Sequence, residues 1–177
     1  MATIKLASNL ALDESGYSHG LLTVIETTKI VNSNSGGKRS LMVDTHEIDC
    51  FELIFNCRNT RNETMEIKTA IFGMTINPEP VETKRMGSKN IPIYNKFTTV
   101  LMRLNILTKD VLDKARKDAS IIDLDTVIAL FLAIKDLPVK FKPQKNEKGF
   151  HDQFLHNIDL IVVSDYLLLI RINDCHQ

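Results

Sequence analysis

The residues that could do chemistry in this chain fall into four groups, and each makes a definite demand on its neighbours. Gly36 and Gly37, followed by Lys38 and Arg39, suggest a phosphate cradle. A P-loop needs another glycine five residues earlier and a hydroxyl directly after the lysine, because backbone N–H groups wrap the phosphate and the hydroxyl holds Mg²⁺. Asn32 and Arg39 occupy those two places, and the "SLMVDTHEI" that follows reads as strand, not helix. The P-loop reading is rejected. His46, Cys50 and Cys57 are metal donors by type, but no C-x-x-C knuckle exists and Cys57 falls on the apolar face of an alternating run. His151 and His156 stand in no H-E-x-x-H relation. Asp123 and Asp125 have no other candidate ligands beside them and read as a helix start. With no G-x-S-x-G and no Cys/His nucleophile spacing, the expectation is a chain with no catalytic residues, no metal and no cofactor.

Charge and aromatic surface are left. Lys and Arg total 22, Asp and Glu total 22, so no global field draws the chain to a polyanion. Any such site must come from local sorting. Lys84, Arg85, Lys89, Lys96 and Arg103 fall in a run from Thr83 to Arg103 that holds no acid. Arg58 and Arg61 share a polar turn, and Lys135, Lys140, Lys142, Lys145 and Lys148 follow later. Acids collect at Asp44, Glu47, Asp49 and Glu52, and at Asp13 and Glu14. Such sorting lets a neutral chain present a basic stripe to phosphates. The alternative is a solvated face, where lysine keeps strand edges apart. Sequence-tolerant binding of a single strand also needs flat side chains for the bases. Tyr94 and Phe150 adjoin basic loops, and Phe72 ends a strand out of phase with its apolar face. Phe51, Phe55, Phe97 and Phe131 sit on apolar faces and read as core.

The elements that must position these groups follow from periodicity. Residues 21–31 are β-branched; 51–57 and 65–71 alternate apolar and polar, the pattern of half-buried antiparallel strands. "NSNSGGKRS" is a hairpin tip between apolar runs. "TINPEPVETKRMGSKNIP", with three prolines and a glycine, reads as a long loop. Ile93, Phe97, Val100, Leu101 and Leu104 then form one helical stripe. A second helix is expected after Thr108 as N-cap, and a third across "LDTVIALFLAI". Strand returns at "LPVKFKP", with Lys140 and Lys142 opposite Val139 and Phe141, then at "HNIDLIVV" and "YLLLIRI". One domain spanning 1–177 is expected, mainly β with a helical insert between the third and fourth strands. That order fits a five-stranded Greek-key barrel of the OB type, whose first-to-second and fourth-to-fifth strand loops close over oligonucleotides. Here those loops are "NSNSGGKRS" and "PQKNEKGFHDQ".

The stretches "TKIVNSNSGGKRSLMV" and "LAIKDLPVKFKPQKNEKGFHDQFLHNIDLI", with the helical segment between them, resemble the divergent OB-fold single-stranded DNA-binding proteins of bacteriophages. The resemblance covers roughly two-thirds of the chain and rests on strand-turn-strand grammar. It implies a non-catalytic, largely sequence-independent single-stranded DNA-binding protein of a phage replication or recombination system, acting in the host cytoplasm. Its implied partners are single-stranded DNA and phage or host replication and recombination proteins, with a homo-oligomer compatible. Many proteins of this function end in an acidic tail that recruits partners; "LLLIRINDCHQ" is apolar, so recruitment through a tail is not expected. The N-terminus has no basic region followed by a long apolar run, three cysteines do not make a disulfide framework, and no apolar stretch reaches membrane-span length. The expected setting is therefore the cell interior, without membrane contact. The implied binding residues are Lys38, Arg39, Arg58, Arg61, Phe72, Lys84, Arg85, Lys89, Tyr94, Lys140, Lys142, Lys145, Lys148 and Phe150. The competing class is a protein-interaction or inhibitor module of a phage or mobile element on the same β framework.

Overall fold

Period-two alternation does build the frame. The computed structural model describes residues 9–33, 44–154 and 159–163. β1 (Ser18–Ser33) and β2 (Asp44–Arg58) form a long antiparallel hairpin, with Gly20 opposite Cys57 and Ser33 opposite Asp44. β3 (Thr64–Ile71) pairs with β2. A second hairpin follows, β4 (Glu82–Met86) and β5 (Lys89–Ile93). Then come α1 (Lys96–Arg103), α2 (Lys109–Ala115), a 3-10 turn (Ala119–Ile121) and α3 (Leu124–Leu132). β6 (Leu137–Phe141), β7 (Pro143–Lys145), β8 (His151–Phe154) and β9 (Leu160–Val162) complete the described chain. Five strands make one antiparallel sheet in the order β3-β2-β1-β6-β9. The fold is mainly β, and among the described residues no helix is long and apolar enough to cross a membrane.

The odd residues of β2 carry the core. Phe51, Leu53, Phe55 and Cys57 are buried, joined by Leu22 and Val24 of β1, Ile67 and Ile71 of β3, and Val139 and Phe141 of β6. The helices close this face: Phe97, Val100 and Leu101 of α1, Leu112 of α2 and Phe131 of α3 are buried. Phe51, Phe97 and Phe131 meet with centroids 5.2–5.6 Å apart, the edge-on and tilted geometries that aromatic quadrupoles favour. Phe55 meets Phe141 edge-on at 4.2 Å. Gly20 lets β1 press against β2; a Cβ there would lie 2.2 Å from the Asn56 carbonyl oxygen. On the opposite face of the sheet, Glu52 is buried beneath Lys29 at 2.5 Å and within 4.0 Å of Lys68, which also pairs with Glu66 at 3.1 Å. Lys29 and Lys68 on that face are therefore answered by acids.

Local chemistry sets the helix starts. Asn95 accepts from the Thr98 N–H and Thr108 from the Val111 N–H, two side-chain caps for otherwise unpaired amides. Asn95 also donates to the Thr75 carbonyl, which ties the start of α1 to the segment after β3.

The sequence expectations need four corrections. The long loop at 75–92 contains the β4–β5 hairpin, whose two-residue turn places Gly87 at φ 63°. Glycine there satisfies a two-residue turn of the type with left-handed backbone at its first central position. The helical stripe begins with Phe97, because Ile93 belongs to β5 and Asn95 caps α1. The "PQKNEKGFHDQ" loop is largely paired, as β7 and β8 around a turn in which Asn146 accepts from the Lys148 and Phe150 amides. The first two strands are longer than expected, 16 and 15 residues. β3 and β9, the outer strands of the sheet, run in the same direction, and among the described residues no pairing joins them. The expected last strand "YLLLIRI" and the tip holding Lys38 and Arg39 lie outside the described residues.

Candidate nucleic-acid interface

The β4–β5 hairpin stands away from the sheet, and the register divides its side chains between two faces. Lys84 pairs with Ile91 and Met86 with Lys89 on one face; Thr83 pairs with Pro92 and Arg85 with Asn90 on the other. The first face meets the outer side of α1 across a cleft of about 890 Å³. Its apolar walls include Val81, Met86, Ile91 and Met102, and its cations are Lys84, Lys96, Arg103 and Lys109. Among the described residues no carboxylate lines it. Among the described residues none of these four cations is held in an ion pair. Val81 and Met86 are 60% and 59% exposed and lie outside the core cluster.

Lys96 is the most ordered of the four. Its Nζ donates to the Ala70 carbonyl at 2.9 Å and to Thr69 Oγ1 at 3.4 Å, both on β3. Burial lowers its pKa below the ordinary lysine value, so its charge is partly desolvated and unanswered. An arriving phosphate would supply the missing counter-charge. Lys96, Thr99 and Arg103 occupy i, i+3 and i+7 of α1, one stripe about 10 Å long, exposed at Lys96 and Arg103 and half-buried at Thr99. A second cleft, about 580 Å³, lies on the hairpin's other face, lined by Thr83, Asn90, Lys109, Arg116 and Lys117 among others. Arg116 there is structural. It donates to the Pro78 carbonyl and to the Tyr94 hydroxyl, and it lies within 3.7 Å of Glu79 and 3.5 Å of Asp113.

The expected binding residues distribute unevenly over this framework. Lys84, Arg85 and Lys89 gather on the β4–β5 hairpin, all exposed. Phe72 is 47% exposed, two residues past the carbonyl that holds Lys96. Tyr94 departs from the expectation: it is 7% exposed, its ring belongs to the core, and it offers no open stacking face. Burial wins there because Tyr94 sits directly before the α1 cap, where the chain turns inward. Arg58 and Arg61 are exposed at the β2–β3 turn, where Arg58 bonds the Asn62 carbonyl. Lys145, Lys148 and half-buried Phe150 lie on the β7–β8 hairpin. This hairpin and the β2–β3 turn extend beyond the same end of the sheet, whereas β4–β5 follows the opposite end of β3. The basic loops thus do not converge on one face. Lys140 and Lys142 each place Nζ 5.0 Å from the centre of the Tyr17 ring.

Sequence reading counted Lys96 and Arg103 within an acid-free run but did not join them to a site, and it missed Lys109 and Tyr17. The "MGSK" turn was the usable signal, hidden because the flanking residues are polar and proline-bearing. Of the metal candidates, His46 is exposed, and Cys50 and Cys57 lie on opposite faces of β2, with burial pushing the Cys57 thiol up to about 11. Comparison with protein-family models, with curated proteins and with solved structures finds no match to this chain.

Proposed function

We propose that this protein binds single-stranded DNA without catalysis and largely without regard to sequence, in a phage replication or recombination setting. The observation that carries the reading is the cleft between the β4–β5 hairpin and α1. Among the described residues it combines four cations held in no ion pair with exposed apolar walls and no acid, the pairing that a flexible polyanion with hydrophobic bases requires. The sheet order is consistent with an OB-type barrel: the outer strands β3 and β9 run parallel, as closure of such a barrel demands. The site differs from the usual OB face, because on the other side of the sheet Lys29 and Lys68 are held by Glu52 and Glu66.

Fluorescence anisotropy with a labelled oligo-dT and a blunt duplex of the same length tests the reading. Single strand should bind much more tightly, since a rigid duplex cannot splay its bases into the cleft. Equal affinity for the two would mean a general basic surface. The competing reading, a protein-interaction or inhibitor module, draws on the open sheet face. Leu21 and Ile25 on β1, Ile161 on β9 and the adjoining Val163 are 37–54% exposed there. No binding to either oligonucleotide would favour that module.

A further inference from the structure

We infer that Tyr17 is a base-stacking residue of the single-strand path, reached where the path leaves the α1 stripe, and that Lys140 and Lys142 occupy its ring until nucleic acid arrives. The inference rests on the proposed single-strand binding and extends it to a residue outside the hairpin cleft. Three observations carry it. Tyr17 is half-buried, and its hydroxyl reaches both carboxylate oxygens of Asp159 at 3.3 Å, so the ring is held in place just before β1. Two ammonium groups, from residues on one face of the same chain segment, sit 5.0 Å from its centre. α1, whose far end carries the cleft-lining Arg103, packs beside β9, and Asp159, which holds the Tyr17 hydroxyl, directly precedes β9.

The physical logic is an exchange. A cation over an aromatic ring still open to water on one side is held weakly, and a stacked base is held more strongly. When a strand leaves the cleft past Arg103, its next phosphates attract Lys140 and Lys142 away from the ring. A base then takes the vacated face, and no cation is left without a counter-charge. Exposed Phe72 follows by two residues Ala70, whose carbonyl holds Lys96 at the other end of the stripe.

The test compares Tyr17→Ala and Tyr17→Phe by anisotropy on a labelled oligo-dT and on an abasic oligonucleotide of equal length. Circular dichroism checks that both variants fold. Tyr17→Ala should weaken oligo-dT binding about tenfold and leave abasic binding unchanged. Tyr17→Phe, which keeps the ring but loses the bond to Asp159, should bind oligo-dT nearly as the unaltered protein does. Equal weakening by the two variants, or equal weakening on both oligonucleotides, overturns the stacking role. If the unaltered protein binds oligo-dT and Tyr17→Ala binds it equally well, the inference fails while single-strand binding stands. If the unaltered protein does not bind oligo-dT, the parent reading is what fails.

Discussion

Replacing Lys84, Lys96, Arg103 and Lys109 together by alanine should remove most of the salt dependence of single-strand binding. Each phosphate neutralised on a single strand contributes about −0.7 to the slope of log affinity against log salt. Four contacts carry about −2.8, which is about 50-fold in affinity between about 50 and 200 mM salt. The cleft geometry sets the count at four, because among the described residues these are its lining cations and no lining acid competes for them. Folding should survive. Three of the side chains make no side-chain hydrogen bond or ion pair among the described residues, and loss of the Lys96 bonds to β3 costs about 1 kcal/mol. Anisotropy titrations across that salt range, at matched circular dichroism, read the slope directly. The loss should be the same for oligo-dT and for mixed sequence, since phosphates carry no sequence information. A variant whose slope equals that of the unaltered protein refutes the assignment of this cleft to phosphates, whatever its affinity.

Three further outcomes test the frame. Phe51→Ala opens a void where three rings meet and should cost about 3–5 kcal/mol, read as a lowered urea midpoint; a loss under about 1 kcal/mol would mean the helices do not close on β2 as described. Gly20→Ala forces a Cβ into the Asn56 carbonyl and should destabilise by on the order of 2 kcal/mol, so an unchanged melting temperature would contradict the β1–β2 register. Burial, and secondarily the charge of Lys145, hold the His151 imidazole below its ordinary 6.5. The unfolded chain therefore takes up the proton first. His151's contribution to stability is full above pH 6.5 and is lost as pH falls through the lower folded value. His151→Phe should flatten that part of the urea-midpoint profile, and a profile identical to that of the unaltered protein would show the ring is not held neutral.

Strands were legible where one face is core and the other is water, because burial then writes a period of two into the residues. The β2 run from Phe51 to Cys57 and the β6 pair Val139 and Phe141 are of this kind. The α1 core stripe and the Thr108 cap were legible for the matching reason, period 3.6 and a side chain with one local task. β4 escaped notice because all five of its residues are exposed, so no burial shapes their order. With that hairpin hidden, the cleft it forms with α1 was hidden too. The acid-free run from Thr83 to Arg103 spans β4, β5 and α1; only the fold shows that Lys84 and Arg103 line one cleft, and that Tyr94 turns inward.

Among the described residues the β1–β2 hairpin outruns the rest of the sheet. β3 stops pairing at Phe51 and β6 at Leu22, yet the ladder continues from Thr28 opposite Asp49 to Ser33 opposite Asp44. Those last rungs extend roughly 20 Å, and each strand there has one hydrogen-bonded neighbour among the described residues. A ribbon of two strands is marginal by itself. Amide protons along it should trade with solvent by fraying from the tip, while those of Leu22, Leu53 and Ile67 wait for the whole molecule to open. Its length is consequently decoupled from the stability of the core. Rungs can be added or removed in matched pairs, which keeps every side chain on its own face, and reach becomes a property that sequence change can tune without endangering the fold.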